Sequence, residues 1–320
     1  MPPARPDIPD TPGFTALIAE AAEALGLSDA HAIPLARAKD RTHERCVVAL
    51  AGGGRMVAVK IDLRGDDTGR LAREHVQLVR LRPLFAAADG AALIEPILLG
   101  GNGRFLVTGL VEAPTMLETL DAGPAPADAR ALFTAAGRWL RVLHSADTAE
   151  IAPFWPRWMI ERLQELASGP AQADPARAQA VTNAIAERLR ALRGTNATEG
   201  LCHRDFHANN LLFDGQTATG LDLTEVTRKL ALYDIVDLLR ADVQLVLDGP
   251  LHPSGIAQTT IEAFVAGYGP LPDPRLFEAA MQARLAMDWL TVTPERFATS
   301  AAQRHRFDTL SLRLRSVLPI

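Results

Sequence analysis

Between Leu201 and Leu223 a long helical stretch of sequence breaks into short apolar runs, and those runs are punctuated by Asp205, Asn210 and Asp222. Apolar residues at helical spacing predict helices on both sides, at roughly 127–145, 155–168, 175–193, 231–247, 257–268 and 273–290. Any fold for this chain has to place three oxygen-bearing side chains in that one interruption.

The first third of the chain reads differently. A helix over about 15–25 carries Leu17, Ile18, Ala21 and Leu25 on one face. From Ile33 to Leu63 the pattern turns to strands, with Cys46–Leu50 and Met56–Ile61 separated by Gly52, Gly53 and Gly54, a hairpin signal. Asp66, Asp67 and Thr68 offer caps for a helix reaching about Leu84, with Leu71, Leu78 and Leu81 on its face. Two more strands fit 92–99 and 104–110. Four strands and one helix predict a small antiparallel sheet ahead of a mainly helical remainder.

The chain has 320 residues, is 48% hydrophobic and carries a net charge of −5. Length of this order suggests two domains. The charge balance excludes a nucleic-acid or anionic-membrane footprint. The two cysteines, Cys46 and Cys202, sit in apolar runs and read as buried thiols. The proline-rich start lacks the apolar core of a secretion signal, and no window reaches the 18 apolar residues of a membrane span, so the expectation is a cytoplasmic protein with no membrane partner.

Taken singly, Asp205 reads as a turn residue, Asn210 as an Asx turn and Asp222 as a strand-end carboxylate. Together, five and then twelve positions apart, they suit phosphoryl transfer. That reaction needs positioning and charge stabilisation more than covalent chemistry from the protein. A carboxylate is needed at the acceptor hydroxyl, and Mg²⁺ takes a few oxygen ligands beside the phosphates. His203-Arg204-Asp205 with Asn210, then Gly220-Leu221-Asp222-Leu223, resembles the catalytic loop and metal-binding aspartate of kinase-like enzymes, closest to the aminoglycoside phosphotransferase and small-molecule kinase family, in motif to the bacterial amino-sugar kinases. Val57-Ala58-Val59-Lys60, with Glu74 fourteen residues on, resembles the phosphate-binding lysine and its helix partner. The resemblance spans roughly residues 30–290.

The resemblance implies an α+β, bilobal kinase-like fold, with a flexible 1–13, a nucleotide-binding lobe over 14–112 and a helical lobe over 113–320. It implies ATP and Mg²⁺, Asp205 as the catalytic carboxylate, and Asn210 and Asp222 as metal ligands. Lys60 and Glu74 would serve the nucleotide phosphates, Thr42 the nucleotide-covering loop, and Val59, Val107, Leu110 and Leu212 the adenine walls or plain core. Gly52–Gly54 lies in the wrong hairpin for a phosphate loop and reads as a turn. Asp234 would brace the catalytic loop.

Asp234 follows Asp222 by only twelve positions, too few for a peptide-docking segment, so the acceptor is expected to be a small molecule with a hydroxyl. Glu225, Asp237, Arg240, Asp242, Trp289 and Arg296 are candidates for its pocket. The competing reading is a nucleotide-binding pseudokinase acting as a regulatory module. Loss of a chemical position would favour it, and none is lost.

Overall fold

The computed structural model describes residues 11–39, 44–65, 69–169, 175–247 and 249–318. They form two compact units. The first takes the chain up to Ala113 together with Thr219–Glu225, and the second takes the rest. The sequence reading ended the first lobe at residue 112 as one continuous stretch; the segment carrying Asp222 belongs to the first unit.

In the first unit, α1 (Pro12–Ala24) opens on Thr11, whose Oγ1 accepts the Phe14 N–H at 3.3 Å, with Pro12 preset for the first helical turn. A five-stranded antiparallel sheet follows, in the order β1-β2-β3-β6-β5, from β1 (His31–Lys39), β2 (Glu44–Gly52), β3 (Arg55–Asp62), β5 (Pro96–Gly100) and β6 (Phe105–Gly109). The sequence reading gave this sheet four strands; β1 is the addition. Gly53 and Gly54 turn β2 into β3 with φ of 55° and 76°, a left-handed pair that suits a tight hairpin.

Strand alternation then sorts the side chains. Val48, Leu50, Val57, Val59, Ile61, Phe105 and Val107 form one core with Phe14, Leu17 and Ala21 of α1. Each such apolar side chain contributes about 1.5–3 kcal/mol on burial. Lys60, between Val59 and Ile61, faces the other way. α2 (Gly69–Ala86) buries Leu71, Glu74, Leu78, Leu81 and Phe85. Its expected cap residues, 66–68, lie outside the described residues, as does Thr42. The strand expected at 92–99 is two, the short β4 (Ala91–Leu93) and β5.

The second unit holds α3 (Met116–Asp121), α4 (Pro126–His144), α5 (Arg157–Ala167), α6 (Pro175–Ala191), α7 (Leu232–Leu239), α8 (Gln258–Tyr268), α9 (Pro274–Leu290), α10 (Pro294–Thr299) and α11 (Ala301–Val317). A three-stranded sheet, β7 (Glu150–Pro153), β8 (Asn196–Cys202) and β11 (Thr227–Leu230), has β8 at its centre. β8 leads into residues 203–210, β9 (Leu211–Phe213) follows, and β10 (Ala218–Gly220) carries the chain back into the first unit. α9 is buried on nearly every side, from Leu276 to Leu290, and is the helix around which this unit packs.

Candidate active site

In the first unit, the β2–β3 register pairs Val47 with Lys60 and Arg45 with Asp62, so Arg45 and Lys60 rise from the same face of the sheet. Lys60 Nζ lies 2.6 and 2.7 Å from the two carboxylate oxygens of Glu74, which is wholly buried on α2. A buried carboxylate needs such a partner, and the bidentate contact fixes the ammonium at the sheet surface.

Asp222 joins the group from the far end of the sequence. Its φ of 56° is left-handed, a strained setting for a residue with a side chain. Thr224 Oγ1 donates to its Oδ1 at 2.7 Å and stands 3.3 Å from Glu74 Oε2. Lys60 Nζ is 3.5 Å from Oδ1, and Arg45 donates to Oδ2 at 3.2 Å. Two cations, Lys60 and Arg45, thus interlock with two carboxylates, Glu74 and Asp222.

In the second unit, the loop after β8 is pinned from below. Asp234, wholly buried on α7, accepts the backbone N–H of His203 at 2.6 Å and of Arg204 at 2.9 Å. His144 Nε2 sits 3.2 Å from the same carboxylate, and its Nδ1 is 2.9 Å from the Tyr268 hydroxyl. Arg204 has φ of 70°, so this clamp holds a strained residue directly before Asp205. His203 is buried against Trp139 and Phe206, consistent with a packing role. Asp205 itself is left 61% exposed, with His207 Nε2 3.6 Å from its Oδ2.

Asn210 ends a short helical turn over Ala208–Asn210 and spends its amide nitrogen on the Asp205 carbonyl, at 2.8 Å. Its amide oxygen remains as an acceptor. His144, Cys202 and Asp234 bring possible metal-ligand atoms within 4.8 Å of one another. Both Asp234 oxygens already take N–H donors, and burial pushes the Cys202 thiol far up, away from the thiolate a metal needs. This cluster is a hydrogen-bonded brace.

Several expected residues fall elsewhere. Val107 pairs with Val59 and shares its buried face beneath α1, opposite Lys60; the residues on the Lys60 face are Ala58 and Leu106. The reading along the strand had ignored its two-residue period. Leu110 and Leu212 are half-buried. Trp289 is no platform, because it is 3% exposed, stacks on Phe307 and donates Nε1–H to Ser311. Asp242 is wholly buried on Arg313 and Thr260, Asp237 pairs with Arg284, and Arg240 with Asp288. Sequence reasoning also passed over Arg45, Thr224, His144 and Tyr268. Only Arg45 carried a signal, its even spacing from Val47 on the strand beside Lys60.

A model of the phosphotransferase enzyme family matches residues 35–288. The chain belongs to that family. Solved structures with the same fold include a spectinomycin phosphotransferase in complex with ADP and spectinomycin, at 14% identity and a TM-score of 0.55, covering 96% of this chain and 94% of that one. A gentamicin complex of an aminoglycoside phosphotransferase matches at 12% identity and 0.56, covering 98% of each chain. A macrolide 2′-phosphotransferase from Brachybacterium faecium matches at 18% and 0.54, covering 92% and 97%. A search of curated proteins finds no significant match. The family and the solved neighbours agree with a kinase-like fold, an antiparallel sheet followed by a mainly helical remainder. No helix among the described residues is long and apolar enough to cross a membrane.

Proposed function

We propose that this phosphotransferase moves the γ-phosphate of ATP to a hydroxyl of a small molecule, with Asp205 as the carboxylate that receives the hydroxyl proton. The observation that supports it most is the contrast within the loop: a backbone clamped by a buried aspartate, and beside it one carboxylate left largely in water. That carboxylate is 61% exposed, and His207 Nε2 stands 3.6 Å from its Oδ2. The acceptor oxygen forms a bond to the γ-phosphorus, the bridging P–O bond breaks to release ADP, and the proton passes to Asp205.

Lys60 would hold the α- and β-phosphates, with Glu74 keeping its ammonium in place. Asn210 and Asp222 offer the hard oxygen donors that suit Mg²⁺, and the amide of Asn210 is already turned so that its nitrogen is used and its oxygen is not. When bound, Mg²⁺ would neutralise charge building on the phosphates. For the acceptor, Trp158 is a better stacking surface than Trp289, being 41% exposed and edge-on to Tyr233, which directly precedes the brace residue Asp234. The solved structures named above include complexes with spectinomycin and gentamicin and a macrolide 2′-phosphotransferase, so aminoglycosides, aminocyclitols, macrolides, amino sugars and amino alcohols are the acceptors to screen.

The test is ADP release from Mg-ATP in the presence of each acceptor. Asp205→Asn is expected to lower acceptor-dependent turnover by at least about 10²-fold while Mg-ATP still binds by calorimetry. Unchanged turnover in that variant removes Asp205 from the mechanism.

A further inference from the structure

Arg45 has a position in the site but no task in the phosphotransfer scheme. It rises from β2 on the face that carries Lys60, and its guanidinium lies 3.2 Å from Asp222 Oδ2. Lys60 and Thr224 take the other oxygen. Both oxygens of the carboxylate expected to hold a divalent ion are therefore engaged, one of them by Arg45.

This contact differs from the structural ion pairs of the chain. Arg313 and Asp242 are both wholly buried, whereas the side chains of Arg45 and Asp222 are 22% and 21% exposed. The Arg45 pair is partly open to solvent, unlike the Arg313 pair. Each partner also has a better one available. A guanidinium matches the geometry of phosphate oxygens, and a carboxylate suits a hard divalent cation. A doubly charged ion arriving at Asp222 repels Arg45, while the polyphosphate that accompanies it attracts Arg45.

We propose that Arg45 is a second phosphate-binding cation for the nucleotide, held on Asp222 until nucleotide and metal arrive and then exchanged from carboxylate to phosphate. The inference rests on the phosphotransfer reading above. It makes Asp222 a shared ligand, serving Arg45 in the free protein and the ion in the loaded one, so that binding the metal releases the cation that secures the phosphates.

Calorimetric titration of the full chain tests this with ADP and with adenosine, which lacks phosphates. Arg45→Gln is expected to weaken Mg-ADP binding about tenfold, equivalent to about 1.4 kcal/mol, and to leave adenosine binding unchanged. Arg45→Lys is expected to recover part of the loss, since it restores charge without the fork. In EDTA, Asp222→Asn should tighten metal-free ADP binding by freeing Arg45, and Arg45→Gln added to it should remove most of that gain, a coupling that a double-mutant cycle measures. If Arg45→Gln leaves Mg-ADP affinity unchanged, or weakens adenosine equally, Arg45 is a structural latch and the proposal fails alone. If the wild-type chain binds neither Mg-ADP nor Mg-ATP, the phosphotransfer reading fails with it.

Discussion

Asp242 and Arg313 lie 71 residues apart and are both wholly buried. Arg313 also donates to the carbonyls of Gly255 and Asp242, while the Asp242 carboxylate takes the Ala257 N–H and the Thr260 hydroxyl. Removing one partner strands the other charge away from water, so Asp242→Asn or Arg313→Met is expected to cost about 3–5 kcal/mol, read as a drop in the urea midpoint with unchanged slope. Nothing near either residue in sequence announces the pair. Asp242 was read as an acceptor contact because a charged residue on a helix face, seen without its partner, looks like surface. The same holds for Arg45 and Asp222, 177 residues apart. The Lys60–Glu74 contact was legible because its partners stand only fourteen residues apart, and Asp205 and Asn210 were expected from the same kind of short-range spacing.

At the scale of elements, α4 and α8 pack backbone to backbone. A Cβ on Gly137 would stand 2.5 Å from the Phe264 carbonyl oxygen, and one on Gly267 would collide with the Thr134 carbonyl oxygen. Gly267→Ala is therefore expected to push apart the helices that supply His144 and Tyr268, lowering stability by about 1–3 kcal/mol in thermal melts; a melt identical to wild type would show that the helices slide freely. Helices were the most readable elements, since α4, α8 and α9 fall within two residues of their expected bounds. The helix expected over 231–247 stops early. α7 ends at Leu239, and Arg240–Gln244 tighten into a narrower turn where the Asp242 carboxylate is drawn to Arg313, a long-range cause that periodicity does not register. α10, α11 and the sheet of β7, β8 and β11 went unread. β8 runs Asn-Ala-Thr-Glu-Gly before its apolar end, a loop-like composition that becomes a strand only because β7 and β11 flank it.

For the whole molecule, the first unit is discontinuous. Residues up to Ala113 need Thr219–Glu225, which supplies Asp222 to Lys60 and Arg45 and sets Thr224 beside the buried Glu74. A fragment of residues 11–113 is expected to melt at a lower temperature than the same fragment joined by a short linker to residues 219–225, followed by circular dichroism. Equal melting of the two would make the return segment a passenger. Such a division is invisible in a linear reading, where residue 112 looked like the end of one lobe.

The clamp on Asp205 also has an order in time. A ribosome delivers the loop at 203–210 before it delivers Asp234, and Asp234 before Tyr268, so the nascent chain carries that loop for some sixty residues without the groups that will shape it. Ordering of the loop is thus a late event in translation, and a message truncated before Tyr268 would yield the loop but not its complete support.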